Sequence, residues 1–251
     1  MLKTRVIPLI QISGNSAVKT INFKNYRVVG DVISTIKIFS KRMADEMIII
    51  DIEASRSKKI NFEFLKKLSK ECIMPLSLGG GIDSLDDVSK MFDSGADKII
   101  INSLFHDNIK LLDKIVTKYG SQAVVLSIDL FKDKGKLKMF SNSKSKKNKV
   151  FCFKQTINKI SDTGVGEILL NCIDNDGIMC GYDNDLIKNI SEEINVPIIA
   201  AGGCGKNKDC VKAIQNGATA VAAGSLFYWV GESIISLKNE MKQSGINVRL
   251  V

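Results

Sequence analysis

Pro75-Leu-Ser-Leu-Gly-Gly-Gly-Ile82 and Pro197-Ile-Ile-Ala-Ala-Gly-Gly-Cys204 are two copies of one pattern, a short apolar run that stops at consecutive glycines. Each copy continues in the same way. A helical stretch leads to Gly-Ala (Gly95-Ala96 and Gly217-Ala218), then an apolar run ends at a small polar residue (Asn102-Ser103 and Gly224-Ser225). A repeat of strand, glycine turn and helix half a chain apart reads as two half-barrels, so the expected fold is α/β, a (β/α)8 TIM barrel. Glycine lets the backbone come close to a phosphate, and converging N–H groups with a helix N-terminus complement its charge. Gly80, Gly81, Asn102 and Ser103 are expected to cradle one phosphate, and Asp176, Gly177, Gly202, Gly203, Gly224 and Ser225 another. Two cradles point to a ligand with two phosphate ends.

Short runs rich in Ile, Val and Leu alternate with amphipathic stretches along the whole chain, the pattern of parallel strands buried on both faces. Strands are expected near 5–12, 47–52, 75–79, 98–101, 124–129, 167–171, 197–201 and 219–223. Helices are expected near 31–43, 61–70, 84–94, 107–118, 153–163, 184–194, 206–216 and 234–244, with Asp31, Asn61, Ser84 and Asp107 as N-caps. A length of 251 residues suits one such barrel, so residues 1–251 are read as a single domain.

The net charge of +9 fits either a field that attracts anionic substrates or a surface built largely from lysine. Eight lysines crowd into Lys132 to Lys149, within a hairpin-like insertion at about 131–150 that reads as a solvated loop. Neither interleaved aromatics nor a nucleic-acid-binding module accompanies that charge, so nucleic acid is not an expected partner. No apolar run approaches the roughly 20 residues of a membrane span, and no signal-like leader is visible, which places the chain in the cytoplasm. The six cysteines have no C-x-x-C spacing, so neither disulfides nor a zinc site is expected. No cofactor is expected either.

Active-site groups of a parallel barrel project from the carboxyl ends of its strands. Asp129, closing the run Val-Val-Leu-Ser-Ile-Asp, is the best candidate general acid/base, because an ionisable group in a barrel mouth is costly unless paired or useful. Its alternative role is as a loop cap or as the ion partner of Lys19. His106 reads as a loop or capping histidine. Asp174-Asn-Asp-Gly177 has the flavour of a calcium loop without its terminal glutamate, so no metal is expected there. Arg5, Glu46, Lys98 and Glu167 start strands, fall at the amino-terminal face, and on position alone read as structural.

With these residues in view, the chain closely resembles the cyclase subunit of imidazole glycerol phosphate synthase over essentially its whole length. The matching stretches include Arg5-Val-Ile-Pro8, Ala44-Asp-Glu46, Pro75 to Ile82, Gly95-Ala-Asp-Lys98, Gly120-Ser-Gln122, Ile128-Asp129, Gly164 to Leu170, Asp174 to Tyr182 and Gly245-Ile-Asn-Val-Arg-Leu250. The resemblance implies a barrel that docks a glutaminase subunit on its amino-terminal face and conducts ammonia to the opposite mouth. It also implies that Arg5, Glu46, Lys98 and Glu167 form the charged gate of that path. The family's chemistry uses aspartates at the ends of the first and fifth strands. The fifth-strand aspartate is Asp129, but the first-strand position holds Gln11, which hydrogen-bonds yet exchanges no proton near neutral pH. Cyclase turnover is therefore expected to be impaired unless Asp51 or Asp176 substitutes.

Leu9, Asn171 and Phe227-Tyr228 depart from the family pattern too. The start Val18-Lys-Thr-Ile-Asn-Phe-Lys-Asn-Tyr-Arg-Val-Val-Gly-Asp31 and the stretch Ala222-Ala-Gly-Ser-Leu-Phe227 look more like paralogues that accompany ATP-using sugar amidotransferases, which convert an acetamido to an acetamidino sugar in surface-polysaccharide pathways. Three readings follow: an ammonia-conducting barrel in such a complex; a working cyclase of histidine biosynthesis that uses Asp129, Lys19 and both cradles; and a non-catalytic phosphate-binding scaffold.

Overall fold

The computed structural model describes residues 3–57, 59–141, 149–230 and 233–250. Its strands are β1 (Arg5–Ser13), β2 (Ser16–Thr20), β3 (Tyr26–Asp31), β4 (Met47–Asp51), β5 (Leu76–Gly79), β6 (Lys98–Ile101), β7 (Val124–Asp133), β8 (Lys136–Ser141), β9 (Lys149–Cys152), β10 (Glu167–Cys172), β11 (Ile198–Ala201) and β12 (Ala220–Ala223). β1, β4, β5, β6, β7, β10, β11 and β12 pair in parallel, each with the next, and β12 returns to β1. The sheet closes on itself as the (β/α)8 barrel that the repeat requires.

Alternation along each barrel strand divides the core in two. On β1, Val6, Ile10 and Ile12 face the helices, whereas Ile7 and Leu9 join Ile48, Ile100, Val125, Leu169, Ile199, Ala201, Ala220 and Ala222 inside the barrel. Both faces are dry, so the period-2 signal is hidden and the strands read as continuous apolar runs. The interior is a packed, mostly apolar column, with Ser77 of β5 among its buried residues.

The half-barrel repeat persists in individual hydrogen bonds. Gly95 has φ +96°, and a Cβ there would lie 2.6 Å from Ser69 Oγ; Gly217 has φ +104°, and its Cβ would lie 2.3 Å from Ser191 Oγ. Ser69 Oγ donates to Lys66 O, and Ser191 Oγ to Lys188 O. Asp87 accepts from the Asp83 N–H, and Asp209 from the Gly205 N–H, each at 3.0 Å.

Asp31, Asn61 and Ser84 cap the helices Val32–Lys41, Phe62–Ser69 and Leu85–Asp93 as expected. Asp107 does not cap its helix. It ends a short helix, Leu104–Asp107, and Asn108 caps the next, Ile109–Tyr119, by accepting from the Leu111 N–H. The segment 153–163 is also no single helix, but a 3-10 turn Phe153–Gln155 followed by Ile157–Ser161.

Two antiparallel extensions rise from the carboxyl ends of β1 and β7. β2 and β3 continue β1, with β2 pairing both; β8 and β9 continue β7. The Lys-rich insertion is therefore not a solvated loop throughout. Met139 is fully buried beneath it and His106 stacks on Phe151 of β9, with ring centroids 3.7 Å apart. The lysines between 142 and 148 lie outside the described residues. No helix among the described residues is long and apolar enough to cross a membrane.

Candidate active site

The carboxyl-terminal mouth encloses a cavity of about 220 Å³. Gln11, Asn102, Ser127, Asp129 and Asn171 form its polar wall at the strand ends; Ile50, Ile52, Ile82 and Ile101 line it with apolar surface. Phe23, from the β2–β3 turn, and Phe140, from β8, meet edge to face over the opening, 6.2 Å between centroids.

Asp129 sits at the heart of this wall. Asn102 Nδ2 donates to its Oδ2 at 3.0 Å and to Ser127 O at 3.0 Å, while Ser127 Oγ lies 3.4 Å from its Oδ1. Its Cα pairs with that of Asn171 on β10. Removal from water pushes the carboxyl up to about 7, against the opposing hydrogen bonds of Asn171 and Ser127 and helped by the charge of Asp176. Such a group carries and releases a proton near neutrality, which is what general acid–base work requires. Its partner is not Lys19.

Lys19 instead binds Asp176 at 2.8 Å, and both are nearly fully buried. Thr20 Oγ1 donates to the other Asp176 oxygen at 2.8 Å, and the Thr20 N–H donates to Gln11 Oε1 at 3.2 Å. Gln11 lies across the mouth from Asp129, on β1 rather than β7, and lines the same cavity. Both carboxylates that could replace a first-strand aspartate already hold hydrogen-bond partners. Asp51 Oδ1 accepts from the Glu53 and Ala54 N–H groups and caps the helix Ile52–Ser57, and Asp176 is spent on Lys19 and Thr20.

The two glycine cradles share a backbone and differ in room. Gly80 and Gly81 have φ +112° and +81°; Gly202 and Gly203 have +81° and +108°. A Cβ on Gly80 would stand 2.3 Å from Asp51 O, and one on Gly81 would stand 2.7 Å from Ala54 O, so only glycine fits. Gly80, Gly81, Asn102 and Ser103 open onto the main cavity. Asp176, Gly177, Gly202, Gly203, Gly224 and Ser225 also converge, but around a pocket of only about 20 Å³. Asp174, in the same loop, accepts from the Lys132 N–H at 2.7 Å and anchors the insertion.

At the opposite end, Arg5, Glu46, Lys98 and Glu167 form a closed ring of alternating charge. Arg5 reaches Glu46 at 2.8 Å and Glu167 at 2.5 Å; Lys98 reaches Glu46 at 3.1 Å and Glu167 at 2.9 Å. Burial opposes ionisation of Glu167, yet the Arg5 hydrogen bond and the Arg5 and Lys98 charges together hold its carboxyl below the usual range. The ring is formally neutral and spans four different strand starts across the barrel floor.

Thr20, Phe23, Arg56, Ser127 and Phe140 also line the site, and the sequence alone does not single them out. Ser127 is within reach of such a reading, since it stands two residues before Asp129 on the same face of a strand. The other four come from the antiparallel extensions and the short helix Ile52–Ser57, whose inward direction is set only by the closed barrel.

Residues 5–231 match the family described as histidine biosynthesis protein. The imidazole glycerol phosphate synthase subunit HisF of Chlorobium phaeobacteroides is 36% identical over 252 residues, covering all of both chains. A protein of Campylobacter jejuni, provisionally named imidazole glycerol phosphate synthase subunit hisF2, is 37% identical over 262 residues, again covering both chains fully. One of the same provisional name from Pseudomonas aeruginosa is 39% identical over 235 residues, 92% of this chain and 93% of its own.

Proposed function

Because this chain belongs to the histidine biosynthesis protein family, we propose that it is the barrel subunit of a glutamine-dependent amidotransferase, one that delivers ammonia and has lost much of its own cyclase chemistry. A glutaminase docks on the amino-terminal face and releases ammonia at the ring of Arg5, Glu46, Lys98 and Glu167. Ammonia is small and uncharged. It passes an opened ring and an apolar column at far lower cost than ammonium, whose charge the interior would not solvate. It emerges at the mouth that holds Asp129, whose carboxyl is pushed up to about 7 by burial. The acceptor is an acetamido sugar held by an ATP-using amidotransferase, which converts it to the acetamidino form for a surface polysaccharide.

The observation that carries this reading is Gln11. The residue opposite Asp129 is a neutral amide whose oxygen is engaged by Thr20, and general acid–base catalysis is worth about 10²–10⁴-fold per group. The retained ring argues against a mere scaffold, since four charges at a barrel floor are a poor way to gain stability.

A working histidine-pathway cyclase is the second reading, favoured by the neutral-range carboxyl of Asp129. Steady-state turnover of the ribulosyl aminoimidazole carboxamide phosphate substrate, with ammonium at alkaline pH, separates the two. Delivery predicts turnover at least about a hundredfold below an ordinary cyclase subunit and a gain in Gln11→Asp; ordinary turnover in the unaltered chain overturns it.

A further inference from the structure

Exposed apolar side chains are concentrated at one end of this barrel. Among the described residues, Met43 and Ile73 are the large ones at the amino-terminal face and Ile38 lies on the flank, whereas the others stand at the carboxyl-terminal end. Ile21, Tyr26, Val28, Val150 and Ile178, each between 40% and 61% exposed, belong to the rim of the mouth over which Phe23 and Phe140 meet. They are neighbours. Tyr26 pairs with Thr20 across β2 and β3, Val150 pairs with Phe140 across β8 and β9, and a Cβ on Gly177, the residue before Ile178, would lie 3.0 Å from Ile21 Cα. Single exposed apolar residues are ordinary, but a contiguous set around an opening marks a surface that another molecule covers.

The rim is also held in shape. Asn22 Nδ2 donates to Ile173 O at 2.9 Å and to Asp174 O at 2.7 Å, and the Asn22 N–H donates to Asp176 O at 2.9 Å, so the β2–β3 turn is fastened to the loop that follows β10. Asp174 in turn accepts from the Lys132 N–H on β7. Both extensions and the loop between them therefore form one platform, which loses little freedom when a partner lands on it. On β3, Val29 packs on the core while Tyr26 and Val28 share the opposite, exposed face. β3 pairs with β2 alone among the described strands, and an open strand edge with apolar side chains beside it is adhesive unless something occupies it.

Charge and chemistry define the occupant. Lys24, Arg27, Lys132, Lys134 and Lys136 are exposed on the two extensions, where Asp31 and Asp133 are the exposed acids among the described residues. An apolar centre within a basic rim complements a protein surface with the opposite rim. Ammonia that reaches bulk water near neutral pH is protonated, and ammonium has no lone pair with which to attack an acceptor. Delivery therefore requires that the acceptor site be sealed against the mouth. We propose that this rim docks the enzyme that consumes the ammonia, a protein whose apolar contact patch is framed by Asp and Glu and whose acceptor site closes over the Phe23–Phe140 opening. The inference rests on the delivery reading above and gives the exit end, opposite the charged ring, a partner of its own.

The test uses the full chain with its glutaminase and the purified ATP-using amidotransferase of the same organism. Formation of the acetamidino sugar is followed with glutamine as the nitrogen source and, separately, with concentrated ammonium salt, which reaches the acceptor site without the barrel. The unaltered chain should support the glutamine-dependent rate and bind the amidotransferase with an affinity that falls as salt rises. Val28→Glu and Ile178→Glu, both at exposed positions, should keep the thermal midpoint of the parent. Each should weaken binding and lower the glutamine-dependent rate about tenfold or more, with the ammonium-dependent rate unchanged; Val28→Thr, which keeps the shape, should lose less. Lys24→Glu combined with Arg27→Glu should flatten the salt dependence. Parental affinity and glutamine-dependent rate in both Val28→Glu and Ile178→Glu would overturn the docking surface and leave delivery standing. Self-association of the chain that disappears in Val28→Glu, with amidotransferase binding unaffected, would assign the rim to a second copy and overturn the proposal. Absence of any glutamine-dependent rate with the unaltered chain would sink delivery itself and the surface with it.

Discussion

Replacing Asp129 with asparagine should stabilise the protein at pH 8 and do little at pH 4, the reverse of what loss of a hydrogen-bonded core group ordinarily does. The carboxyl is raised from 3.8 to about 7 by its removal from water. Between those values the native state binds a proton that the unfolded chain has released, so native stability falls as pH rises from about 4 to about 7 and is level above. About three pH units at 1.36 kcal/mol each set an upper bound of about 4 kcal/mol, and relaxation around the ionised group makes about 2–4 kcal/mol the working range. Asparagine keeps the shape, accepts from Asn102 Nδ2, and can donate to Ser127 Oγ, which is 3.4 Å from the carboxylate it replaces. The advantage of Asp129→Asn over the parent should grow by that amount across the window, or by roughly 4–16 °C in Tm for a chain of this size. Urea and thermal unfolding of both proteins from pH 4 to 8, in buffers free of phosphate, measure the difference. Parallel stability curves would refute the reasoning, because they would mean that Asp129 ionises as an ordinary aspartate and is no poised acid or base.

Glu167→Gln should cost about 1–3 kcal/mol at pH 7, since it leaves Arg5 and Lys98 to share Glu46 in a partly solvated ring. It should also flatten the acid limb: the contribution of Glu167 is present above the unfolded carboxyl pKa and is lost as pH falls through its lowered native value, so unfolding below about pH 4.5 should depend less on pH in the variant. Gly81→Ala should destabilise by at least about 2 kcal/mol from left-handed strain and the clash with Ala54 O, whereas Gly14→Ala, at φ +55° with nothing within 4 Å of the new Cβ, should cost only about 1 kcal/mol; chemical denaturation of the pair separates clash from strain. Met139→Ala should cost about 2–4 kcal/mol and speed proteolytic cleavage in the insertion, because the fully buried Met139 is what pins β8 to the barrel beside His106.

The eight barrel strands are legible because burial on both faces writes them as apolar runs, and the glycine turns because their left-handed angles exclude other residues. The β2–β3 extension is not. Val28 and Tyr26 on β3 are exposed and nothing dry lies beneath most of that strand, so no alternation marks it. The same limit applies at the site. Asp129 and Gln11 stand out because strand ends point into the mouth, but Phe23, Arg56 and Phe140 reach it from outside the eight barrel strands, through closure that local sequence does not encode. The charge of Lys19 is plain in the sequence, whereas its pairing with Asp176 in place of Asp129 is not. Asp129 lies on β7 and Asp176 follows its neighbour β10, and only the path of the β1–β2 turn decides which one the lysine meets. The four strand-start charges read separately as structural groups; that each cation touches both carboxylates is a fact of barrel closure.

The two halves of this barrel repeat each other down to serine hydroxyls and capping aspartates, which makes their differences at the mouth informative. In a symmetric scaffold with two opposed proton-transfer groups and two open cradles, a substrate spanning the mouth is gripped at both ends and worked from both sides. Here one side keeps the carboxyl near 7, the open cradle and Arg56. The other has an amide at Gln11 and an ion pair in its cradle. Acid and base cannot be divided across such a mouth, because proton transfer needs a group that titrates on each side of the bond being changed. Passage of a small neutral molecule makes no such demand. It needs a floor that can open and a column without trapping charges. The ring at the floor and the column above it lie outside the asymmetric mouth, so the neutralisation of Gln11 leaves them untouched; delivery can survive a change that disables cyclisation.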